Sequence, residues 1–266
     1  MKQKPSFPAK LDLPKPVHEK SVLSSKTWAA ELQMQSKLKS KTEMASGFGL
    51  DSETVRANMV RKLADQGVED AMVLSALGTI ERHRFIDSAL MNQAYEETSL
   101  PIGFGQTISK PNVIARMIEL LRQGKNLKIT GKLGRVLEIG TGCGYQAAVL
   151  SQLSQEVYSV ERIKGLFDKA KDNLRPLRIP NIQLILGDGM LGFESGAPYS
   201  AIIAAAGGEA IPQAWIDQLA DGGRIVAPVA NQSGGQYLVV VDKSSSQIQY
   251  SYLEPVQFVP LKSGVI

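Results

Sequence analysis

Residues 135–145 join an apolar run to an acid and then to three glycines at alternate positions, in the order Arg-Val-Leu-Glu-Ile-Gly-Thr-Gly-Cys-Gly-Tyr. A helical pattern follows at 146–153. A buried parallel strand that turns sharply into a helix requires positive φ angles, which glycine tolerates. Glycine also lacks a Cβ, so a ligand can approach the backbone closely. The first turn of such a helix offers unpaired N–H groups. The segment therefore predicts an α/β fold that binds a small nucleoside-containing ligand at a strand tip.

The chain after residue 134 alternates between strand and helix patterns, which predicts parallel strands with right-handed crossovers. The last two apolar segments instead flank a Lys-Ser-Ser-Ser turn, which favours an antiparallel hairpin at the sheet edge. Together they predict a Rossmann-like, mostly parallel sheet of about seven strands with a reversed edge pair. The predicted strands are 135–139, 157–161, 182–186, 201–206, 224–229, 236–242 and 248–253, and the helices between them are 146–153, 164–174 and 212–220. Ahead of the sheet, Ser52 and Asp70 are predicted to cap two helices and a glycine-rich loop to occupy 101–109, and Trp215 is predicted to pack in the core against the sheet.

The glycine spacing and the acids at the strand tips narrow the ligand. Gly-x-Gly-x-Gly differs from the G-x-G-x-x-G of pyrophosphate binders, and Glu138 before it suits a cationic amine or sulfonium better than a pyrophosphate. Glu161 ends the next strand, where an acid typically binds ribose hydroxyls, and Asp188 follows the third, where it can accept an adenine amino group. Each acid alone is equally compatible with a solvated cap, but the set favours an adenosyl ligand. The predicted cofactor residues are Glu138, Gly140, Thr141, Gly142, Gly144, Glu161, Asp188 and Gly189.

Four segments, at 81–85, 100–109, 136–148 and 255–261, resemble those of the protein-L-isoaspartate O-methyltransferases, and the resemblance covers residues 51–261. The Gln-Thr-Ile-Ser sequence at 106–109 narrows the match to this family. The resemblance implies a class I methyltransferase fold with S-adenosylmethionine as cofactor and S-adenosylhomocysteine as product. It also implies methylation of the free α-carboxylate of L-isoaspartyl residues in damaged proteins and peptides, which starts repair through a methyl ester and a succinimide.

The same resemblance implies that Ser109 is the catalytic residue and that Gln106, Thr107, Ile108 and Ala205 bind the substrate. From spacing alone, Ser109 is more simply the N-cap of a helix opened by Lys-Pro, and the two roles are not exclusive. Ala205 stands where many relatives carry threonine, which bears on substrate affinity. The chain has only two histidines, and we expect His83 to pack or hydrogen-bond within the helical region, since methylation of an ionised carboxylate needs no general base.

Composition limits the remaining possibilities. Residues 1–45 hold nine lysines and four acids, a net charge of +5 against +4 for the whole chain, so the basicity belongs to this segment. We expect it to be disordered, with attachment to nucleic acid or an acidic surface as the alternative. The single cysteine, Cys143, allows no intrachain disulfide and reads as a space-filling residue. No metal-ligand cluster, secretory signal or membrane span is evident, so a cytoplasmic monomer without specific nucleic-acid binding is expected.

The sequence predicts three parts: a basic extension at 1–50, a helical subdomain with the active-site loop at 51–125, and a cofactor-binding α/β domain with a C-terminal hairpin at 126–266. Three other functions were weighed. A methyltransferase of the same fold acting on RNA or a small molecule would carry an Asn-Pro-Pro-Tyr-like motif after the fourth strand, where this chain has Ala-Ala-Gly-Gly. A silent binding module should have lost some of the acids and glycines. NAD-dependent redox chemistry disagrees with the loop spacing.

Overall fold

The computed structural model describes residues 53–125, 131–231 and 234–266. The basic extension predicted at 1–50 and a predicted helix cap at Ser52 lie outside these residues. None of the helices in the described ranges is long and apolar enough to cross a bilayer. These helices are α1 (Glu53–Asp65), α2 (Ala71–Thr79), α3 (Pro111–Arg122), α4 (Tyr145–Leu153), α5 (Lys164–Leu174) and α6 (Gln213–Gln218).

Local signals start the helices near the predicted positions. The Asp70 carboxylate accepts hydrogen bonds from the N–H groups of Met72 and Val73, at 2.9 and 3.2 Å, which confirms it as the N-cap of α2. Pro111 opens α3, where its missing N–H costs nothing because first-turn N–H groups have no partner within the helix. Short 3₁₀ turns at Arg82–Phe85 and Ser88–Gln93 link α2 to the first strand.

The described strands are β1 (Leu100–Gly103), β2 (Gln106–Ile108), β3 (Leu133–Ile139), β4 (Ser154–Glu161), β5 (Ile182–Leu186), β6 (Tyr199–Ala204), β7 (Leu219–Ala230), β8 (Gln236–Ser244) and β9 (Gln247–Val256). β1 and β2 form a separate antiparallel hairpin where the sequence predicted only a glycine-rich loop. Gly103, Phe104 and Gly105 all have positive φ, at 98°, 54° and 68°, so the chain reverses tightly and its two arms pair.

The other strands form one sheet in the order β5-β4-β3-β6-β7-β8-β9. The first five strands in this order are parallel to one another, whereas β8 is antiparallel to both β7 and β9. The mostly parallel sheet and the edge hairpin are thus confirmed. Only β8 runs against the rest, however, because β9 turns back once more. The chain leaves β3 to one side through β4 and returns to its other side at β6, which creates the switch point where open α/β sheets bind ligands.

Alternation along the strands separates two hydrophobic cores. Val136 belongs to the core under helices α1 to α5, whereas Leu137 and Ile139 belong to the core on the opposite face. The helical region therefore shares one continuous core with the sheet. On the opposite face the buried Trp215 of α6 donates from Nε1 to the Gly189 carbonyl at 2.8 Å, which confirms its predicted place in the core.

Candidate active site

A cavity of about 400 Å³ lies at the carboxyl ends of β3 to β6, a size typical of small-ligand pockets. The structure brings four of the predicted cofactor residues to its wall, namely Gly140, Gly142, Glu161 and Gly189. Apolar side chains from the strand tips and α5 complete one side. Those contributing residues are Ile139, Val160, Ile163 and Leu166.

The glycine loop is held open by backbone geometry and by one carboxylate. Gly140, Gly142 and Gly144 have φ values of 89°, 56° and 90°, a region that side chains bearing a Cβ rarely adopt. Glu161 Oε2 accepts a hydrogen bond from the Gly142 N–H at 2.8 Å, and its Oε1 accepts one from the Ile163 N–H at 2.9 Å. Gly144 is the N-cap of α4 and lies behind the cavity, packed on Leu174. The loop is thereby fixed to the tip of β4.

The structure does not bring Glu138 to the cavity. It lies on the sheet face covered by α4, fully buried, and its Oε2 accepts a hydrogen bond from its cross-strand neighbour Ser159. Thr141, also predicted to bind cofactor, hydrogen-bonds the Ser159 hydroxyl at 2.6 Å. Burial, opposed by the Ser159 bond and reinforced by the charge of Glu161, raises the pKa of Glu138 to about 8. A pKa of about 8 favours the neutral carboxyl at pH 7, and the group is buried on the side of the sheet away from the cavity lining.

Both carboxylate oxygens of Asp188 accept a hydrogen bond from the backbone. Oδ1 accepts from the Met190 N–H at 2.9 Å, and Oδ2 accepts from the Gly264 N–H at 2.6 Å. The segment 263–266 crosses the cavity mouth at this point. The Arg162 guanidinium donates to the carbonyls of Ser263 and Gly264, and the Ile266 side chain lines the cavity. Sequence reasoning gave no role to this segment, since no local pattern marks it.

The β1–β2 hairpin covers the cavity from the other side. Residues 104–107 line the cavity, among them the predicted substrate residues Gln106 and Thr107. The Phe104 ring packs against the backbone of Gly165, where an added Cβ would lie 2.1 Å from Cζ of the ring. Lys169 of α5 donates from Nζ to the Ile102 carbonyl at 2.8 Å. Phe104 and Gly165 were both missed in the sequence, because their proximity arises only when α5 packs beside the hairpin.

A second cavity, of about 600 Å³, adjoins the first. Thr107, Ala205 and Val259 line both, so they mark where the two meet. Ser109 and Lys110 line only the second cavity, opposite the segment 255–259. This arrangement places the predicted catalytic serine and a cavity for a second molecule directly beside the predicted cofactor cavity.

Ser109 is not the cap of α3. The N-cap position belongs to Lys110, whose own side chain makes no capping bond, and the Glu97 carboxylate accepts a hydrogen bond from the Asn112 N–H in the first turn, at 3.2 Å. The alternative role considered for the serine is therefore absent from the structure, and its hydroxyl belongs to a residue that lines the second cavity. The neighbouring Ile108 side chain is buried in the core, so only its backbone is available to a substrate.

The opposite wall of the second cavity comes from far along the chain. The Gly207 N–H donates to the Val259 carbonyl at 2.8 Å, and the Leu261 N–H donates to the Gly207 carbonyl at 2.8 Å. The Gln236 side chain bonds both backbone groups of Phe258, at 2.7 and 3.2 Å. The sequence marked 255–261 as a family segment without a function, and these contacts fix it as a cavity wall.

Two other polar groups have the structural roles predicted for them. His83 Nδ1 lies 2.7 Å from the Tyr95 hydroxyl within the helical region, away from both cavities. Cys143 is buried behind the glycine loop, and burial raises the pKa of its thiol. In the described residues, no group of three or more His, Cys, Asp or Glu side chains is arranged to hold a metal ion.

The sheet order, the glycine loop after β3 and the cavity at the switch point together define a class I S-adenosylmethionine-dependent methyltransferase. The family model for Protein-L-isoaspartate(D-aspartate) O-methyltransferase (PCMT) matches residues 54–265. The chain belongs to this family.

Individual relatives agree with the family match. A protein-L-isoaspartate O-methyltransferase of Methylibium petroleiphilum is 51% identical over 98% of this chain and 96% of its own. One from Leptothrix cholodnii is 57% identical over 82% of this chain and 77% of its own. A solved protein-L-isoaspartate O-methyltransferase superposes with a TM-score of 0.70 at 29% identity, covering 79% of this chain and 67% of its own. A putative Plasmodium falciparum enzyme, solved with S-adenosyl-L-homocysteine, shares the fold at 24% identity and a TM-score of 0.67, covering 78% and 98%.

The raised pKa of Glu138 predicts a specific dependence of stability on pH. The folded value of about 8 exceeds the unfolded value near 4.5, so the native state keeps a proton that the unfolded chain releases. This contribution is favourable at low pH and is lost as the pH rises from about 4.5 to about 8. We expect Glu138→Gln, which stays neutral, to gain Tm relative to the parent across this range. Glu194→Gln, at an exposed carboxyl, is the control, and parallel Tm curves for Glu138→Gln and the parent would contradict the assignment.

The contact between Phe104 and Gly165 predicts that one methyl group displaces the ring. In Gly165→Ala the new Cβ would overlap the ring, which must swing away from the cavity. We expect the Kd for S-adenosylhomocysteine, measured by calorimetry, to rise roughly fivefold, the loss of about one aromatic contact. Gly78→Ala is the matched control, because its Cβ would meet no atom closer than 3.5 Å. Equal Kd values for both variants would show that the ring does not cover the cofactor.

Proposed function

We propose that this chain methylates the free α-carboxylate of L-isoaspartyl residues in proteins and peptides, using S-adenosylmethionine. The observation that carries the proposal is the meeting of two cavities at Thr107, Ala205 and Val259, one with the cofactor loop and one with Ser109. Methyl transfer requires the two reactants to lie in line and in contact, and adjoining cavities provide that. The methyl ester then closes to a succinimide, whose hydrolysis returns some of the damaged residues to aspartate.

The cofactor residues proposed from sequence differ in what they do. S-adenosylmethionine supplies an electrophilic methyl group on a sulfonium. Glu161 lies at the cavity wall and accepts hydrogen bonds from the ribose hydroxyls. A carboxylate has about four lone pairs that can accept, and the N–H groups of Gly142 and Ile163 use only two of them. Asp188 accepts a hydrogen bond from the adenine amino group in the same way, in addition to its hydrogen bonds from the backbone. The backbone of Gly140, Gly142 and Gly189 permits close approach. Glu138 and Thr141 support the loop from behind.

Catalysis needs few side chains because the nucleophile is already ionised. A carboxyl with an ordinary pKa is deprotonated at neutral pH, so no proton must be removed. The Ser109 hydroxyl donates a hydrogen bond to one carboxylate oxygen and leaves the other to attack the methyl group. That bond stabilises the negative charge, so it does not make the oxygen more nucleophilic. The gain is orientation, which is worth several orders of magnitude in rate when the reacting atoms are held at about 3 Å.

The substrate lies between the hairpin and the segment 255–259. Thr107 and Ala205, which line both cavities, bound the point of reaction. Gln106, which lines the first cavity, and the backbone of Ile108 bind the substrate from the hairpin side. Lys110 lines the same cavity and contributes positive charge near an anionic group. Because two walls enclose the peptide, flexible or unfolded segments are the accessible substrates. Ala205 removes the hydroxyl that threonine would offer there, which weakens substrate affinity without changing the reaction.

The proposal includes the wider properties expected from sequence. The enzyme acts as a monomer in the cytoplasm and does not bind nucleic acid specifically. Its parts are the extension at 1–50, the helical subdomain at 51–125 and the α/β domain at 126–266. The support is compositional: the single cysteine makes no demand for an oxidising compartment, and the excess of positive over negative charge lies before residue 46.

Paired peptides test the reaction and its selectivity. Two peptides identical except for L-isoaspartate or L-aspartate at one position are incubated with S-adenosylmethionine carrying a labelled methyl group. We expect base-labile label on the isoaspartyl peptide alone. Equal labelling of both peptides, or labelling of neither while the cofactor binds, would contradict the proposal and direct the search to RNA or small-molecule acceptors.

The proposed role of Ser109 predicts a separation of binding from transfer. Ser109→Ala should bind S-adenosylhomocysteine normally, because the residue lines only the second cavity. We expect kcat/KM for the isoaspartyl peptide to fall roughly 100-fold, the cost of misplacing a reacting group by about 1 Å. Ser200→Ala is the matched control at the amino end of β6, where the hydroxyl donates to the Arg135 carbonyl. Undiminished transfer by Ser109→Ala would remove the serine from the mechanism.

A further inference from the structure

Arg82 is fully buried, at 0% exposure, in the turn between α2 and the hairpin. None of the ion pairs in the described residues includes it. Burial lowers its pKa, opposed by the nearby Tyr145, Cys143 and Glu97. A buried cation without a paired carboxylate is expensive, and replacing such a charge with an apolar side chain is often neutral or stabilising. The cost of burying this charge is therefore offset by the groups that the guanidinium contacts.

The contacts of the guanidinium point toward the active site. Nη2 donates to the Ser109 carbonyl at 2.7 Å, and Nε donates to the Ala94 carbonyl at 2.8 Å. The group also lies over the ring of Tyr145, 5.0 Å from its centroid. Tyr145 is the first residue of α4, directly after the glycine loop. One rigid planar group thus contacts the backbone of the proposed catalytic serine and the helix that follows the cofactor loop.

The bond to Ser109 acts on the orientation of the serine. A carbonyl held by a charged donor fixes the peptide plane between Ser109 and Lys110, and with it the torsion angle ψ of Ser109. The capping contact of α3 does not replace this bond, since Lys110 makes no side-chain capping bond and Glu97 bonds the Asn112 N–H rather than the backbone of Ser109. Arginine suits this task better than lysine, because its planar fork donates to two carbonyls in fixed directions at once.

We propose that Arg82 is a positioning residue for methyl transfer, which acts by holding the Ser109 backbone so that the hydroxyl meets the substrate carboxylate. The inference rests on the proposed function of Ser109 and extends it to a residue that touches neither substrate nor cofactor. Its effect on the reaction passes through the serine, so it should vanish when the serine hydroxyl is absent.

A double-mutant cycle tests this dependence. We expect Arg82→Lys to lower kcat/KM for the isoaspartyl peptide about tenfold, in keeping with loss of a charged hydrogen bond. In the Ser109→Ala background the same change should lower it less than about twofold, because coupled residues are not additive. The Kd for S-adenosylhomocysteine should stay within twofold of the parent in all four proteins. Equal losses in both backgrounds would overturn the proposal.

Arg122→Lys is the matched control for lost stability. Arg122 is similarly buried, but its guanidinium donates to Asp70 Oδ2 at 2.7 Å and to the Gly131 carbonyl at 3.4 Å instead of to Ser109. We expect Arg122→Lys to lower Tm as Arg82→Lys does and to keep the kcat/KM of the parent. If Arg82→Lys does not fold, Arg82→Met, which removes the buried charge, replaces it in the same double-mutant cycle with Ser109→Ala. A weakened Kd with additive losses would place the effect of Arg82 at Tyr145 and contradict the role at Ser109.

The cycle separates this inference from the proposed function. An active Ser109→Ala enzyme would refute the role of the serine itself, whereas an inactive Ser109→Ala enzyme with additive losses would refute only the role of Arg82. An Arg82→Lys enzyme with unchanged kcat/KM would likewise refute the role of Arg82 and leave the serine assignment standing.

Discussion

The carboxylate of Glu161 is the contact on which the cofactor site depends. It accepts two backbone hydrogen bonds, from Gly142 in the loop after β3 and from Ile163 at the start of α5. Bonds from N–H groups to a buried carboxylate are strong, and they satisfy a charge that would otherwise be costly to bury. The loop cannot move without releasing this carboxylate. The shape of the cavity, the entry to α4 and the position proposed for the ribose therefore depend on the same carboxylate.

Three buried ionisable residues, Glu138, Glu161 and Arg82, are each accommodated in a different way. Glu138 is neutralised by protonation, because burial raises its pKa to about 8. Glu161 stays on the cavity wall with its two backbone donors. Arg82 is held by two carbonyls and the ring of Tyr145 rather than by an acid. Each of these three buried groups is thus accommodated by its own local contacts.

Both cavities are closed by parts of the chain that lie far from the glycine loop in sequence. The hairpin covers one side, where Phe104 packs on Gly165 of α5. The segment 255–266 forms the other, fixed by Gly207, Gln236, Arg162 and Asp188. These contacts are mainly to backbone groups, so they depend on the path of the chain more than on side-chain identity. Enclosure of both reactants is thus a property of the assembled fold.

The sequence by itself determined the strand, glycine loop and helix at 135–153, the acids at the strand tips, the edge hairpin and the family. The strand, loop, helix and hairpin follow from backbone sterics and from the period of two along a strand, which act locally, and the family follows from the resemblance of four sequence segments. Only the tertiary structure decided that Glu138 faces α4 rather than the ligand, that Lys110 and not Ser109 caps α3, and that Asp188 bonds the segment 263–266. Which strand face is covered, and which distant segment reaches a cavity, depends on packing between residues remote in the chain, and no local pattern records it.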